Sequence, residues 1–176
     1  MVTIRPAALI LLICVASVTP AQSLSTAPEI KLKDLRGRPL KVSDYRGKIL
    51  LINFWATWCI PCRAEIPDLL RLQRQYRHRG LRVIGVAYPP QTRAEVRRFV
   101  RRLRINYPIA LGTEATKALF DNSGVLPVTV VIDRDGMVRE VIKGVLYHDE
   151  FDERIKPLLN ERPKKEVRPP LKLKSK

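Results

Sequence analysis

Lys48-Ile49-Leu50-Leu51-Ile52-Asn53-Phe54-Trp55-Ala56-Thr57-Trp58-Cys59-Ile60-Pro61-Cys62 decides the fold. Lys48 to Trp55 is a near-continuous apolar run of strand length, the pattern of a central strand covered on both faces. Cys59 to Arg79 then changes to helical spacing. Ile66, Leu69, Leu70 and Leu72 to Tyr76 fill one side, with arginines elsewhere. Gly80 suits the helix stop, and Pro67 is expected to kink the helix. A buried strand thus ends, and a helix begins, at a Cys-x-x-Cys.

That placement has a specific chemistry. Unpaired N–H groups and a partial positive charge gather at a helix N-terminus, and a thiolate placed there has a lowered pKa. The first cysteine, expected to stay exposed, can attack a disulfide. The second lies one turn in and can resolve the mixed disulfide. Pro61 is tolerated because the first helical turn needs no N–H from it. Cys59 is therefore read as nucleophile and Cys62 as resolving thiol. The alternative, two reduced core cysteines, does not explain the Trp before the motif or the Pro inside it.

Outward from this centre, strands and helices alternate. Ile30 to Leu32 and Pro39 to Val42 flank Gly37 and predict a hairpin. Leu81 to Tyr88 is a second buried strand, stopped by Pro89-Pro90. Thr92 caps a helix whose apolar face is Val96, Phe99, Val100 and Leu103, while Arg93, Arg97, Arg101 and Arg104 line another. A short strand, Tyr107 to Leu111, and a short helix, Thr113 to Phe120, follow. Val128 to Asp133 and Met137 to Ile142 form a hairpin across Arg134-Asp135-Gly136. Asp149 to Leu159 is the last helix. The sum is an α/β sandwich.

Size and charge bound the rest. The chain has 176 residues, 45% of them hydrophobic, which suits one domain with a sizeable core and excludes wholesale disorder. Residues 1–21 read as a secretory signal or an uncleaved anchor: Arg5, an apolar run from Ala7 to Val18, then Thr19-Pro20-Ala21. Residues 22–28 read as a linker, 29–160 as the domain, and 161–176 as a disordered basic tail. Cys14 belongs to the apolar run, so Cys59 and Cys62 are the one close pair and no disulfide scaffold is possible. With His78 and His148 isolated, no metal site is expected.

The net charge is +16. Eleven arginines against the single acid Glu95 lie between Arg71 and Arg104. Basic surfaces attract nucleic acids and anionic membranes. Charge alone sets neither fold nor reaction, and solvated helix faces are the plain reading. Nucleic acid is not the expected partner; the alternative to solvated faces is weak contact of the basic helix and tail with an acidic partner or an anionic membrane.

The stretch from Gly47-Lys48 through Asn53-Phe54-Trp55-Ala56-Thr57-Trp58-Cys59 to Glu65-Ile66-Pro67, with the N-terminal hairpin and the Arg-rich insert, resembles the thioredoxin superfamily, and within it the TlpA/ResA-like extracytoplasmic group, over residues 29 to about 159. The resemblance implies a thioredoxin-like three-layer sandwich with an N-terminal β-hairpin and a central αβ insert. It implies reduction of disulfides in secreted proteins, often the heme-binding thiols of apocytochrome c. It also implies recharging by a membrane thiol carrier, with no cofactor beyond the redox-active Cys59–Cys62 disulfide.

Pro127 matches the family's cis-proline, beside which Leu126 can pair with an extended peptide. Trp58, Ile60, Pro61, Leu126 and Pro127 are thus the expected substrate-binding residues. One of Trp55 and Trp58 is expected to pack in the core and the other to shield the sulfurs. Glu65 matches an acid of the TlpA/ResA group that could relay the proton of Cys62; it could equally be an exposed first-turn Glu favoured by the helix dipole. Asn53 departs from ordinary thioredoxins, which have a buried Asp there, and this makes Glu65 the better relay. Asp121 and Asp133 read as turn or strand-end residues.

Redox direction stays open at this point, because a disulfide-donating oxidase uses the same motif. A peroxidase on a related fold would use a lone cysteine, which the tight pair argues against.

Overall fold

A computed structural model describes residues 25–163. The signal or anchor reading of residues 1–21, Cys14, the first part of the expected linker and most of the basic tail lie outside them. The order is β1 (Ser25–Thr26), β2 (Lys31–Lys33), β3 (Pro39–Lys41), β4 (Ile49–Trp55), α1 (Ile60–Tyr76), β5 (Leu81–Ala87), α2 (Arg93–Arg102), β6 (Ile109–Leu111), α3 (Glu114–Ala118), β7 (Val128–Ile132), β8 (Met137–Lys143) and α4 (His148–Arg154). One mixed sheet runs β1-β8-β7-β4-β5-β6, and β2 and β3 form a separate hairpin. The sheet is parallel across β4, β5 and β6, and antiparallel from β4 through β7 and β8 to β1.

β4 is central and wholly buried, so both its faces must be covered. Successive side chains point to opposite faces. Ile49, Leu51 and Trp55 pack with Ile66, Leu69 and Leu72 of α1, Phe99 of α2 and Phe151 of α4. Leu50, Ile52 and Phe54 pack with Ile30 and Leu40 from the hairpin region and with Val128, Val130 and Ile132 of β7. Burying each large aliphatic side chain stabilises the fold by roughly 1.5–3 kcal/mol. The same alternation turns Asn53 toward α1, a polar side chain on an otherwise apolar face.

Two expectations change, the linker and the undivided last helix. The stretch read as a linker, 22–28, contains an edge strand: Ser25 and Thr26 pair with Val138 and Met137, and the Ala27 N–H donates to the Gly136 carbonyl at 2.9 Å. α1 continues through Pro67 to Tyr76. Pro67 and Arg63, whose carbonyl loses its donor, are both exposed, so water can satisfy that carbonyl. The last helix is split into α4 and a 3-10 turn, Lys156–Asn160, because Pro157 cannot continue the ladder. Gly80 ends the turn after α1 at φ +96°, as its position predicts. Among the described residues no helix is long and apolar enough to cross a membrane.

Candidate active site

The redox pair sits where β4 hands over to α1. The Tyr88 N–H donates to the Trp55 carbonyl at 2.7 Å, and the Cys59 N–H to that of Ala56 at 3.2 Å. Gln91 braces the intervening loop: its Oε1 accepts from the Thr57 N–H at 3.1 Å and its Nε2 donates to the Tyr88 carbonyl at 2.6 Å. Cys59 is the N-cap of α1, and Pro61 lies in the first turn. The Cys59 Sγ accepts from the Cys62 N–H at 3.2 Å. A thiolate on Cys59 would use that same donor and the helix dipole. In the structure the two cysteines are joined in a disulfide.

Cys59 is more enclosed than the sequence suggests, at 5% exposure, and Cys62 is fully buried. The reason is the neighbourhood: Trp58, Ile60, Pro61, Gly124 and Leu126 surround Cys59 in an open, largely apolar depression of about 360 Å³. Trp58 is 54% and Ile60 77% exposed, while Trp55 is packed against Phe99 in the core. Four of the five residues expected to bind substrate therefore line one depression. Pro127 lies buried behind it, its bond to Leu126 cis, and its carbonyl accepts from the Gly144 N–H at 2.9 Å. Among the described residues the Leu126 main chain has no hydrogen-bond partner.

Beneath the pair lies a buried polar network. Glu65, one turn beyond Cys62, has no exposed surface. Its alternative as a solvated first-turn Glu is thereby overturned, because the α1 face that carries Cys62 and Leu69 also carries Glu65 into the core. Its Oε1 accepts from Asn53 Nδ2 at 2.7 Å, and its Oε2 from the Leu146 N–H at 3.1 Å. Burial pushes its pKa up to about 7, against the pull of those two donors. Asn53 Nδ2 also donates to Thr129 Oγ1 at 3.1 Å, directly across the β4–β7 ladder. Tyr107 is buried nearby; burial first, then the Glu65 charge, holds its phenol above the ordinary range.

Thr129, Leu146, Tyr107 and Gln91 were missed by sequence reasoning. Alternation along β7 could have turned Thr129 toward α1. The other three come to the site through chain packing that no local spacing announces.

Asp121 is also more than a turn residue. Its side chain is buried, and it accepts from Lys117 Nζ at 2.5 Å and Ser123 Oγ at 2.6 Å, with Lys143 Nζ at 3.0 Å. Burial opposes its charge, but these partners hold the carboxyl well below the usual range. Asp133 does cap its turn, accepting from the Asp135 and Met137 N–H groups. Among the described residues no cluster of His, Cys, Asp or Glu could hold a metal ion.

A disulfide at a strand-to-helix junction, set beside a cis-proline on this sheet, defines a thioredoxin-like thiol:disulfide oxidoreductase whose redox group is the disulfide itself. Residues 24–141 match the AhpC/TSA family, and the chain belongs to it. It is 35% identical over 136 residues to thiol-disulfide oxidoreductase ResA of Geobacillus kaustophilus, covering 76% of this chain and 78% of that protein. It is 32% identical over 131 residues to the thioredoxin-like protein YneN of Bacillus subtilis, covering 73% and 76% of the two chains. Among solved structures, a thioredoxin-family thiol:disulfide interchange protein from Chlorobium tepidum is 32% identical with a TM-score of 0.70, covering 77% of this chain and 97% of that one.

Proposed function

We propose that the protein reduces disulfides of extracytoplasmic proteins, apocytochrome c among them, and is recharged by a membrane dithiol carrier. Cys59 thiolate attacks one sulfur of a substrate disulfide, forming a mixed disulfide and releasing the other sulfur as thiolate. Cys62 then loses its proton to Glu65 and attacks Cys59 Sγ. The second substrate sulfur leaves, two electrons have passed to the substrate, and the Cys59–Cys62 disulfide remains. The substrate chain lies along Leu126 with its apolar side chains on Trp58 and Ile60.

The observation that carries this reading is Glu65, a buried carboxyl with a pKa near neutrality one turn from the resolving cysteine. A group poised there can take and return a proton at ambient pH. The apolar N-terminal run supports an extracytoplasmic site of action, periplasmic in a Gram-negative cell, with residues 5–20 removed or retained as an anchor.

The test is the Cys59–Cys62 reduction potential of the chain from Gln22, read by Trp fluorescence in thiol redox buffers. A value below roughly −230 mV supports the reductase. A value above roughly −180 mV makes the protein a disulfide donor instead.

A further inference from the structure

Arg93, Arg97, Arg98, Arg101 and Arg102 of α2, and Arg104 just beyond it, are all exposed. Among the described residues none of the six has a carboxylate partner. The one acid of the helix, Glu95, feels the charge of Arg98 but offsets only one of the six, and its Oε2 accepts from the Thr92 N–H at 2.6 Å and Thr92 Oγ1 at 2.8 Å, closing a capping box. Arg97 donates to the neutral Leu35 carbonyl at 2.7 Å, and Arg102 lies 5.3 Å over the Phe99 ring. Neither contact cancels charge. Elsewhere Arg139 pairs with Asp133 and Glu161, Arg154 with Glu140 and Lys156 with Asp152, while Lys31, Lys33, Arg63, Arg74, Arg77 and Arg82, which also lack a carboxylate partner among the described residues, are spread over the hairpin, α1 and its C-terminal end, and β5. α2 therefore carries the densest group of such charges, five arginines along about 14 Å of its axis with Arg104 just beyond its end.

We propose that α2 is a docking surface for a bilayer containing anionic phospholipid. The exposed large apolar side chains are Trp58, Ile60, Leu119, Val125 and Tyr147, none of them on α2. A protein interface enriches arginine too, but sets it around buried aromatic anchors, and single-stranded nucleic acid is gripped by exposed aromatics. This face has the arginines but no exposed aromatic. An anionic leaflet asks only for clustered cations. The apolar run Ala7 to Val18, where it is retained as an anchor, would hold the chain at a membrane independently of the helix. α2 begins directly after Gln91, which braces the loop two residues before Cys59. Docking by α2 therefore sets the redox pair beside the bilayer, within reach of a membrane-borne thiol carrier. The proposal does not depend on the direction of thiol exchange.

The test is cosedimentation of the chain from Gln22, which keeps every described element, with vesicles of phosphatidylcholine alone or mixed with phosphatidylglycerol. Partition onto the mixed vesicles only, lost at high salt, is the expected result. Replacing Arg98→Gln, Arg101→Gln and Arg104→Gln together should weaken partition at least about tenfold. Thiol exchange and the melting temperature should not change. Should that variant fold poorly, Arg101→Glu alone tests the same point. A chain ending at Pro163, without the rest of the basic tail, should still bind. Unchanged partition of the arginine variant overturns the proposal, as does loss of binding on tail removal. Equal binding to polyglutamate or to DNA at the same salt overturns the assignment to lipid.

Discussion

Asn53 Nδ2 lies 2.7 Å from Glu65 Oε1, joining the central strand to the helix that carries both cysteines. Burial raises the Glu65 pKa from 4.5 to about 7, so the folded protein holds this proton more tightly than the unfolded chain does. Between those values the native state binds more protons, and stability must fall as pH rises. The melting temperature should therefore decline from pH 5 to pH 8. Glu65→Gln should remove most of that decline and, at pH 8, gain up to about 3 kcal/mol over the native protein. The same variant should slow protein-disulfide reduction about 100-fold and flatten its rise near neutral pH. A native melting curve that is flat over this range would show that Glu65 does not titrate there.

Asn53→Ala tests the partner. Its amide is one of two donors that favour the charged carboxylate, and losing it leaves desolvation less opposed. The pH at which the reduction rate rises should move upward by about one pH unit. Stopped-flow exchange with a fluorescent protein disulfide across pH 6–9 reads this shift. A profile that merely loses amplitude at the same midpoint would mean that Asn53 packs the core without tuning Glu65.

What the sequence made legible follows from range. Strand β4, the start of α1, the Thr92 cap and the Gly80 stop rest on neighbours within a few residues, and local periodicity and cap chemistry read them. Cys59, Cys62 and Pro127 were readable from the motif and its resemblance. The burial of Glu65 was not, because it depends on Leu146, remote in sequence, arriving to donate its N–H. Residues 25–26 looked like linker because Ser and Thr carry no apolar signal; an edge strand that pairs on one side needs none. Pro67 sits inside α1, as the sequence reading placed it, and Arg63, whose carbonyl it frees, is exposed to water.

Gly85 is required by close approach. It sits on β5 beside Asn53 of β4, and a Cβ there would press on Ile109 Cδ1 and lie 2.8 Å from Trp55 Nε1 and 3.3 Å from Tyr107 Cε2. The Trp55 ring is fully buried and has no room to retreat. Gly85→Ala should destabilise the domain by about 1–3 kcal/mol through overpacking, seen as a melting temperature lowered by several degrees. Gly37, which meets nothing within 4 Å but has φ +85°, is the contrasting case of a backbone requirement. Equal melting temperatures for the native protein and Gly85→Ala would show that Ile109 and Trp55 yield at no cost.

Asp121→Asn probes the loop that leads to Leu126. The carboxylate gathers Lys117 from α3, Lys143 from β8 and Ser123 from the loop itself. Lys143 is half exposed and can turn to water, but Lys117 is 3% exposed and would be left as a buried, uncompensated cation. Removing one partner of such a pair costs about 3–5 kcal/mol. Because the Asp121 pKa is depressed on folding, its contribution is present above the unfolded value of 3.8 and lost as pH falls below it. The native protein should thus lose stability in acid, and the variant should lose less. Freed from its anchor, the Ser123–Leu126 segment should bind protein substrates less well. KM for a protein disulfide should rise several-fold, while oxidation of dithiothreitol, which needs no extended contact, keeps its rate. Lys117→Met combined with Asp121→Leu replaces the buried charges with apolar groups and should recover most of the stability. If that pair restores stability but KM stays high, the carboxylate positions the loop; if KM also returns, packing alone does so.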